Sequence, residues 1–294
     1  MAVTIQEAYI QTFENNVRHK AQQRKAKLRG YCQTVGGNSQ SHNWPILGKI
    51  EATDKSTRLQ DTPVADAAWT ERTSLIVPFD AGESTEQEDP TQMLVDPNSN
   101  LTMALAMGME RRVDDRLIAA ATADALNGDG TTTAYDFTNQ AAGAYTDPIS
   151  FDMVTAVQEI FMKNDIDPEE PKVAVVGPTQ VRKLMQLTEN TSSDYVHAQA
   201  LQSYGIAPNW LGFTWINSTR LLAGADTSGG AGTIDTLFFT QRALGLHIAK
   251  DITARVAEDP GKSFAWRLYC FAHMGAIRIE DEQMVVGRCL DAMA

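Results

Sequence analysis

The sequence predicts an α+β chain, and three observations carry that prediction. A helix-forming run extends without a break from Asn98 to Asn127, short apolar strands alternate with helical segments from Pro171, and the apolar residues alternate as antiparallel strands do from Ile252. The 294 residues amount to roughly two domain lengths, and a hydrophobic share of 43% with 21% charged residues describes a soluble folded chain. No apolar stretch approaches the ~20 residues of a membrane span, so no membrane contact is expected. Cys32, Cys270 and Cys289 are few and widely spaced, which predicts free thiols rather than a disulfide framework.

The first segment, Ile5 to Arg29, sets Ile5, Tyr9, Phe13 and Val17 at intervals of four, as on one helix face, and ends at Gly30 as a helix does. Beyond Val17 the stripe fades into basic and polar residues. From Asn15 to Ile50 the chain holds Arg18, Lys20, Arg24, Lys25, Lys27, Arg29 and Lys49 and no acid, although the whole chain has a net charge of −12. An acidic body with a basic arm is not the pattern of a free-standing nucleic-acid binder, whose whole domain is basic. Half a stripe is too little apolar surface to offset the ordering of ~25 residues. The arm therefore reads as a segment ordered against a neighbouring subunit, or facing a polyanion from within a larger assembly.

Residues Tyr31 to Ser41 read as a turn-rich linker. Trp44 to Phe79 is a long two-stranded excursion, with Ile46 and Ile50 on the way out, Trp69, Leu75 and Val77 on the return, and a polar tip, ATDKSTRLQDTP, between them. A lone hairpin is marginal in water, so this one is expected to rest on another chain, the alternative being a sheet edge folded back on its own core. Asp80, Glu83, Glu86, Glu88, Asp89 and Asp96 follow without a Lys or Arg between residues 80 and 100. A solvated loop is the ordinary reading of such a run, yet its six anions nearly match the arm's seven cations.

Asp96-Pro97 supplies a cap and a first-turn proline for the long helix, which stops at Gly128 and measures about 45 Å at 1.5 Å per residue. In its middle Arg111 and Asp115 stand at i and i+4, and Arg112 reaches Asp115 or the preceding turn. Asp114 and Asp115 diverge by about 100° on the helix and sit among Arg111, Arg112 and Arg116, which disfavours a cation and predicts an ion-pair cluster. Gly128 to Asp147 reads as a loop, and Asp147-Pro148 repeats the cap before a helix from Ser150 to Lys163. Then come a buried strand (Lys172 to Val176), a turn at Gly177-Pro178, helices from Thr179 to Leu187 and Ser193 to Ser203, and strands at Gly212 to Ile216 and Thr236 to Thr240. Ile252 to Ala257, Phe264 to Met274, Ala276 to Glu280 and Met284 to Arg288 complete the chain as antiparallel strands.

Catalytic signatures are missing from the sequence: it has no GxxxxGK followed by Ser or Thr, no HExxH, no GxSxG and no CxxC. In VVGPTQ the proline removes an amide donor where an anion would sit, so a strand-to-helix turn is the better reading. Cys270 and His273 point to opposite faces of a strand and do not share an ion easily. His19, His42, His197 and His247 have no recognisable nucleophile beside them. No enzyme activity, cofactor or metal is expected.

This order of elements resembles the major capsid proteins of tailed bacteriophages, the Hong Kong 97 fold. VRHKAQQRKAKLRG in the arm, MGMERRVDDRLIAAATADALNGDG in the long helix, KVAVVGPTQVRKLM opening the α/β module and GAIRIEDEQMVVGRCLD near the end carry the resemblance. It implies an N-arm (1–43), an extended E-loop (44–78), a peripheral domain (79–165) with the spine helix at 98–127, an axial α/β domain (166–250), and return strands to the peripheral domain (251–294). It implies hexamers and pentamers of this chain closing into an icosahedral head around double-stranded DNA held without sequence specificity. A separate scaffolding protein and a portal protein are implied partners, with assembly in the host bacterial cytoplasm. The expected subunit contacts are Arg18, Arg24, Lys25, Lys27 and Arg29 of the arm, Trp44, Lys49, Lys55, Arg58 and Trp69 of the excursion, and Glu83, Glu86 and Glu88 of the acidic patch. Some relatives join an E-loop lysine to a neighbour's asparagine. Lys49 and Lys55 are the lysines of this excursion, but no partner is identified for them. An encapsulin-like shell protein of the same fold and, more remotely, a soluble α/β enzyme working at Gly177 are the alternatives.

Overall fold

The computed structural model describes residues 20–61, 64, 67–86, 97–186, 209–225 and 232–291. In chain order these form a 3-10 turn at Arg29–Tyr31, β1 (Gln33–Gly36), β2 (Ser41–Leu47), β3 (Trp69–Leu75), β4 (Val77–Thr85), α1 (Pro97–Thr122), β5 (Ala125–Leu126), β6 (Thr132–Thr133), β7 (Ala141–Gly143), α2 (Phe151–Lys163), β8 (Lys172–Val176), α3 (Pro178–Gln186), β9 (Asn209–Trp210), β10 (Phe213–Asn217), β11 (Thr233–Thr240), β12 (Leu244–Asp259), β13 (Ala265–Arg278) and β14 (Met284–Leu290). Two compact units share the chain. One takes the residues up to Lys25, Phe79–Arg111 and Ile252–Ala272, and the other takes Ala26–Pro78, Arg112–Asp251 and the residues from His273 on.

The second unit is built on a six-stranded sheet in the order β7-β14-β11-β8-β10-β9. β8 reads KVAVV and is buried at every position, as a strand covered on both faces must be. It runs parallel to β10 through the α3 crossover and antiparallel to β11. Ser150 caps α2, its hydroxyl accepting from the Met153 amide at 3.2 Å, and the helix buries Met153, Val154, Val157 and Phe161. These meet an aromatic cluster in which Phe213 stands edge-on to Phe238 at 5.2 Å and Trp215 edge-on to Phe238 at 6.0 Å.

A four-stranded sheet has the order β1-β12-β13-β4, and β1 lies parallel to β12 with Gln33 opposite Gly245. Within the first unit, Tyr269 and Phe271 stack at 5.4 Å and Arg255 lies 5.5 Å over the Phe271 ring. Ala254–Glu258 of β12 face solvent.

The expected excursion is present as the antiparallel pair β2–β3, registered from Ser41 opposite Leu75 to Leu47 opposite Trp69. Several boundaries depart from expectation. Residues 20–28 are irregular rather than helical, and at their end the Lys27 and Leu28 amides bond to the Asp114 carboxylate. The supposed linker contains β1, whose small polar sequence, QTVG, is recruited by β12. The acidic run is strand through Thr85, so Asp80 and Glu83 lie on β4. The long helix stops at Thr122, five residues early, since the buried Arg278 guanidinium takes the Ala121 and Ala123 carbonyls at 2.9 and 2.7 Å and Ala125 turns into β5. The expected loop from Gly128 to Asp147 contributes β6, and also β7, which pairs with β14. Phe264–Met274 and Ala276–Glu280 are one strand, β13, with Gly275 inside it. Ser150, not Asp147, is the N-cap of α2. The cap at Asp96 and the helix expected at Ser193–Ser203 lie outside the described residues.

Candidate functional site

Among the described residues no group of His, Cys, Asp or Glu is placed to hold a metal, and no helix is long and apolar enough to cross a membrane. The three cysteines are free and buried, and burial pushes the thiols of Cys32 and Cys289 up to about 12, so both stay protonated at neutral pH.

The excursion separates its two tryptophans by pleat. Trp44 is buried, its Nε1 donating to Ser74 Oγ at 3.1 Å while that hydroxyl donates to the His42 carbonyl at 3.2 Å. Trp44 thus packs inside its own chain, and the folded-back alternative describes the base of the hairpin. Trp69 is 72% exposed, and with Leu47 (50%), Ile50 (58%), Leu59 (87%) and Val64 (92%) it leaves much apolar surface uncovered. Lys55 and Arg58 are exposed at the tip. Lys49 meets Asp165 of the same chain at 3.3 Å, an exposed pair of little energetic weight.

Below the hairpin opens a cleft of about 830 Å³ lined by Ile46, Leu47, Trp69 and Glu71 on one side and by Asn127, Asp129, Glu280 and Glu282 on others. Burial, with Glu282 beside it, raises the Glu280 carboxyl above the usual range. At the back of the cleft Arg72 pairs with Asp281 at 2.9 Å, and Asp281 also holds Arg278.

The root of the basic arm is fastened to its own subunit. Asp114 accepts the Lys27 amide at 3.1 and 2.9 Å and the Leu28 amide at 3.1 Å, Lys27 Nζ donates to the Asn217 carbonyl at 2.5 Å, and Arg29 grips Asp251 with two bonds of 3.1 and 2.5 Å. Lys20, Arg24 and Lys25 are exposed. In the first unit Asp80 and Glu83 line a cleft together with Lys262, Arg267 and Tyr269, so the described part of the acidic patch has cations of its own unit nearby. Glu86 is exposed, whereas Arg18, Glu88, Asp89 and Asp96 lie outside the described residues.

The spine-helix cluster is wired differently from the expected Arg111–Asp115 pair. Arg111 instead donates to Gln22 Oε1 at 2.7 Å and to the Gln23 carbonyl at 3.4 Å. Asp115 holds Arg220 with bonds of 2.7 and 2.5 Å, which raises the Arg220 pKa, and the expected reach of Arg112 to Asp115 is present at 3.9 Å. The half-buried Arg116 has its pKa lowered by burial and by Arg112 nearby. Sequence reasoning missed Arg72, Arg220, Asp251, Arg278 and Asp281. The one available signal was an arginine inside the apolar alternation of GAIRIEDE.

The fold is shared with solved phage capsids. The capsid of cyanophage P-SCSP1u is 16% identical, the match covering 99% of this chain and 96% of that one at a TM-score of 0.72. The capsid of Ralstonia phage GP4 is 10% identical over 97% and 96% at 0.74, and that of a native GTA particle 13% identical over 97% and 96% at 0.69. At such identities the likeness establishes the fold, which is the α+β Hong Kong 97 type. No curated protein matches the chain. Residues 5–291 match the family described as phage capsid protein, and the chain therefore belongs to that family.

Proposed function

We propose that this chain is the major capsid protein of a tailed phage. Its hexamers and pentamers would close into an icosahedral shell around double-stranded DNA, held without sequence specificity. The family and fold are those of a structural protein of the virion. The observation that carries the reading is the hairpin: an extended excursion from Leu47 to Trp69 with large apolar side chains exposed on a folded body. Shell subunits gain stability by burying such extensions across many individually modest contacts. The acidic body suits a container for a polyanion, since it keeps packed DNA off the wall. A separate scaffolding protein and a portal protein complete the assembly, which takes place in the host bacterial cytoplasm. The exposed arm cations Lys20, Arg24 and Lys25, with Lys55, Arg58 and Trp69 of the hairpin, are the proposed subunit contacts.

Electron micrographs and sedimentation of the purified chain, alone and beside the phage's other head proteins, test this directly. Closed shells or capsomers are expected, and monomer alone under every condition overturns the reading. Trp69→Ala separates assembly from folding. It should leave the subunit's stability within about 0.5 kcal/mol, as for other exposed positions, and reduce assembly at least tenfold, the effect of losing roughly 1.4 kcal/mol of contact. Assembly at the unaltered level would remove the hairpin from the interface.

The heads are expected to be held non-covalently, since neither Lys49, paired within its own chain, nor Lys55 has an identified asparagine partner. Boiled particles should run as one band at the 32.2 kDa monomer. A ladder resistant to detergent and reductant would contradict this.

A further inference from the structure

We propose that Asp114 is a positioning residue for assembly: it fixes the root of the N-terminal arm, at Lys27 and Leu28, on its own subunit, and does so before any neighbour arrives. The proposal rests on the shell-forming reading above and adds to it a place and a cause. Asp114 is 1% exposed in the middle of α1, and both its oxygens are directed at the backbone of the arm's root, at the Lys27 and Leu28 amides. Those amides belong to a stretch without helix or strand partners, where a buried N–H left unbonded costs about as much as a lost hydrogen bond. A carboxylate is a strong acceptor for such groups and reads only the course of the chain, not its side chains. Leu28 is itself buried and gives the root an apolar anchor.

The neighbouring contacts close the grip from two further sides. The next residue on the helix, Asp115, points about 100° away and holds Arg220, while Lys27 Nζ reaches the Asn217 carbonyl three residues before that arginine. The consecutive acids of the spine helix thus bind the arm's root and the segment that follows β10, and Lys27 ties these two together. Arg29 adds its pair with Asp251. Lys27 and Arg29 are therefore engaged within their own subunit, and a charge reversal that includes Lys27 breaks this contact besides any contact with a neighbour.

Hydrogen–deuterium exchange and assembly of the full chain test the proposal. In unassembled wild-type subunits the Lys27 and Leu28 amides should exchange at least tenfold more slowly than an open chain. Exchange at the open-chain rate overturns the proposal without any variant. Asp114→Asn keeps the size but turns one acceptor into a donor. It should speed exchange at both amides at least tenfold, open the bonds after Lys27 and Arg29 to trypsin, and lower the fraction of closed shells at least tenfold, with exchange in β8 and β11 unchanged. Closed shells at wild-type yield from a variant whose root amides are open overturn the positioning role. Shells absent from the wild type as well would sink the shell reading, while the exchange of the two amides still decides whether the grip exists.

Discussion

Replacing Arg278 with alanine is expected to destabilise the folded subunit by about 3–5 kcal/mol, the usual consequence of removing one partner from a buried charged network. The side chain is fully buried, and its guanidinium bonds the Ala121, Ala123 and Thr133 carbonyls and pairs with Asp281 while lying 5.0 Å over the Tyr135 ring. Without it, two carbonyls at the end of α1 lose their donors, and among the described residues Asp281 keeps Arg72 as its remaining cation. Arg278→Lys should recover part of the loss, because one ammonium keeps the charge but lacks the planar fork that spans carbonyls on two segments. Chemical denaturation of unassembled subunits measures both variants. A loss below about 1 kcal/mol for the alanine variant would mean that the helix end finds other donors.

Gly275→Ala is expected to be the most damaging single-methyl addition in the same unit. A Cβ at this position would collide with the Leu75 carbonyl oxygen and stand 2.8 Å from its carbon and 3.3 Å from the Ile76 nitrogen, all of them backbone atoms with no rotamer to change. The cost should reach about 3 kcal/mol, the upper end for overpacking, and the outgoing end of β3 must shift away from β13. Gly37→Ala is the control, since nothing lies within 4 Å of its added methyl, and it should change stability by less than about 0.5 kcal/mol. Equal effects of the two substitutions, read from denaturation midpoints, would show that the close approach is not what Gly275 provides.

These two residues mark where the sequence stops being legible. Long periodic or uniformly apolar segments were readable: the spine helix, the KVAVV strand and the strands after it, and the out-and-back course of the excursion. Their signals are local, arising from side-chain period and burial. The helix end was not readable, because ADALN is acceptable helix sequence and the guanidinium that stops it comes from residue 278. Gly275 reads as a break in a strand, yet it keeps the strand whole by admitting the Leu75 carbonyl. β1 and β7 are short and nearly featureless, and become strands because β12 and β14 offer them an edge. For the proposed contact surfaces, composition marks the arm and the excursion as unusual, but the pleat decides which tryptophan faces outward. The spine-helix arginines and acids were recognised as an ion-pair cluster, but most of their partners lie far away in sequence, at Gln22, Lys27 and Arg220.

The uncovered apolar side chains of the excursion would ordinarily make a free chain sticky. Between Ile50 and Val64, however, Glu51, Asp54, Lys55, Arg58 and Asp61 are interspersed among the apolar residues, and Pro63 precedes Val64. An aggregating segment needs five to seven consecutive residues of high β-propensity and low charge without proline, and no such window exists between Ile50 and Val64. Charges of both signs and the proline act as gatekeepers against strand-on-strand stacking, while Leu59 and Trp69 stay available to a partner whose shape fits them. In the proposed shell assembly, this spacing of side chains along one loop would keep the newly made subunit dispersed and still leave it adhesive to the right surface.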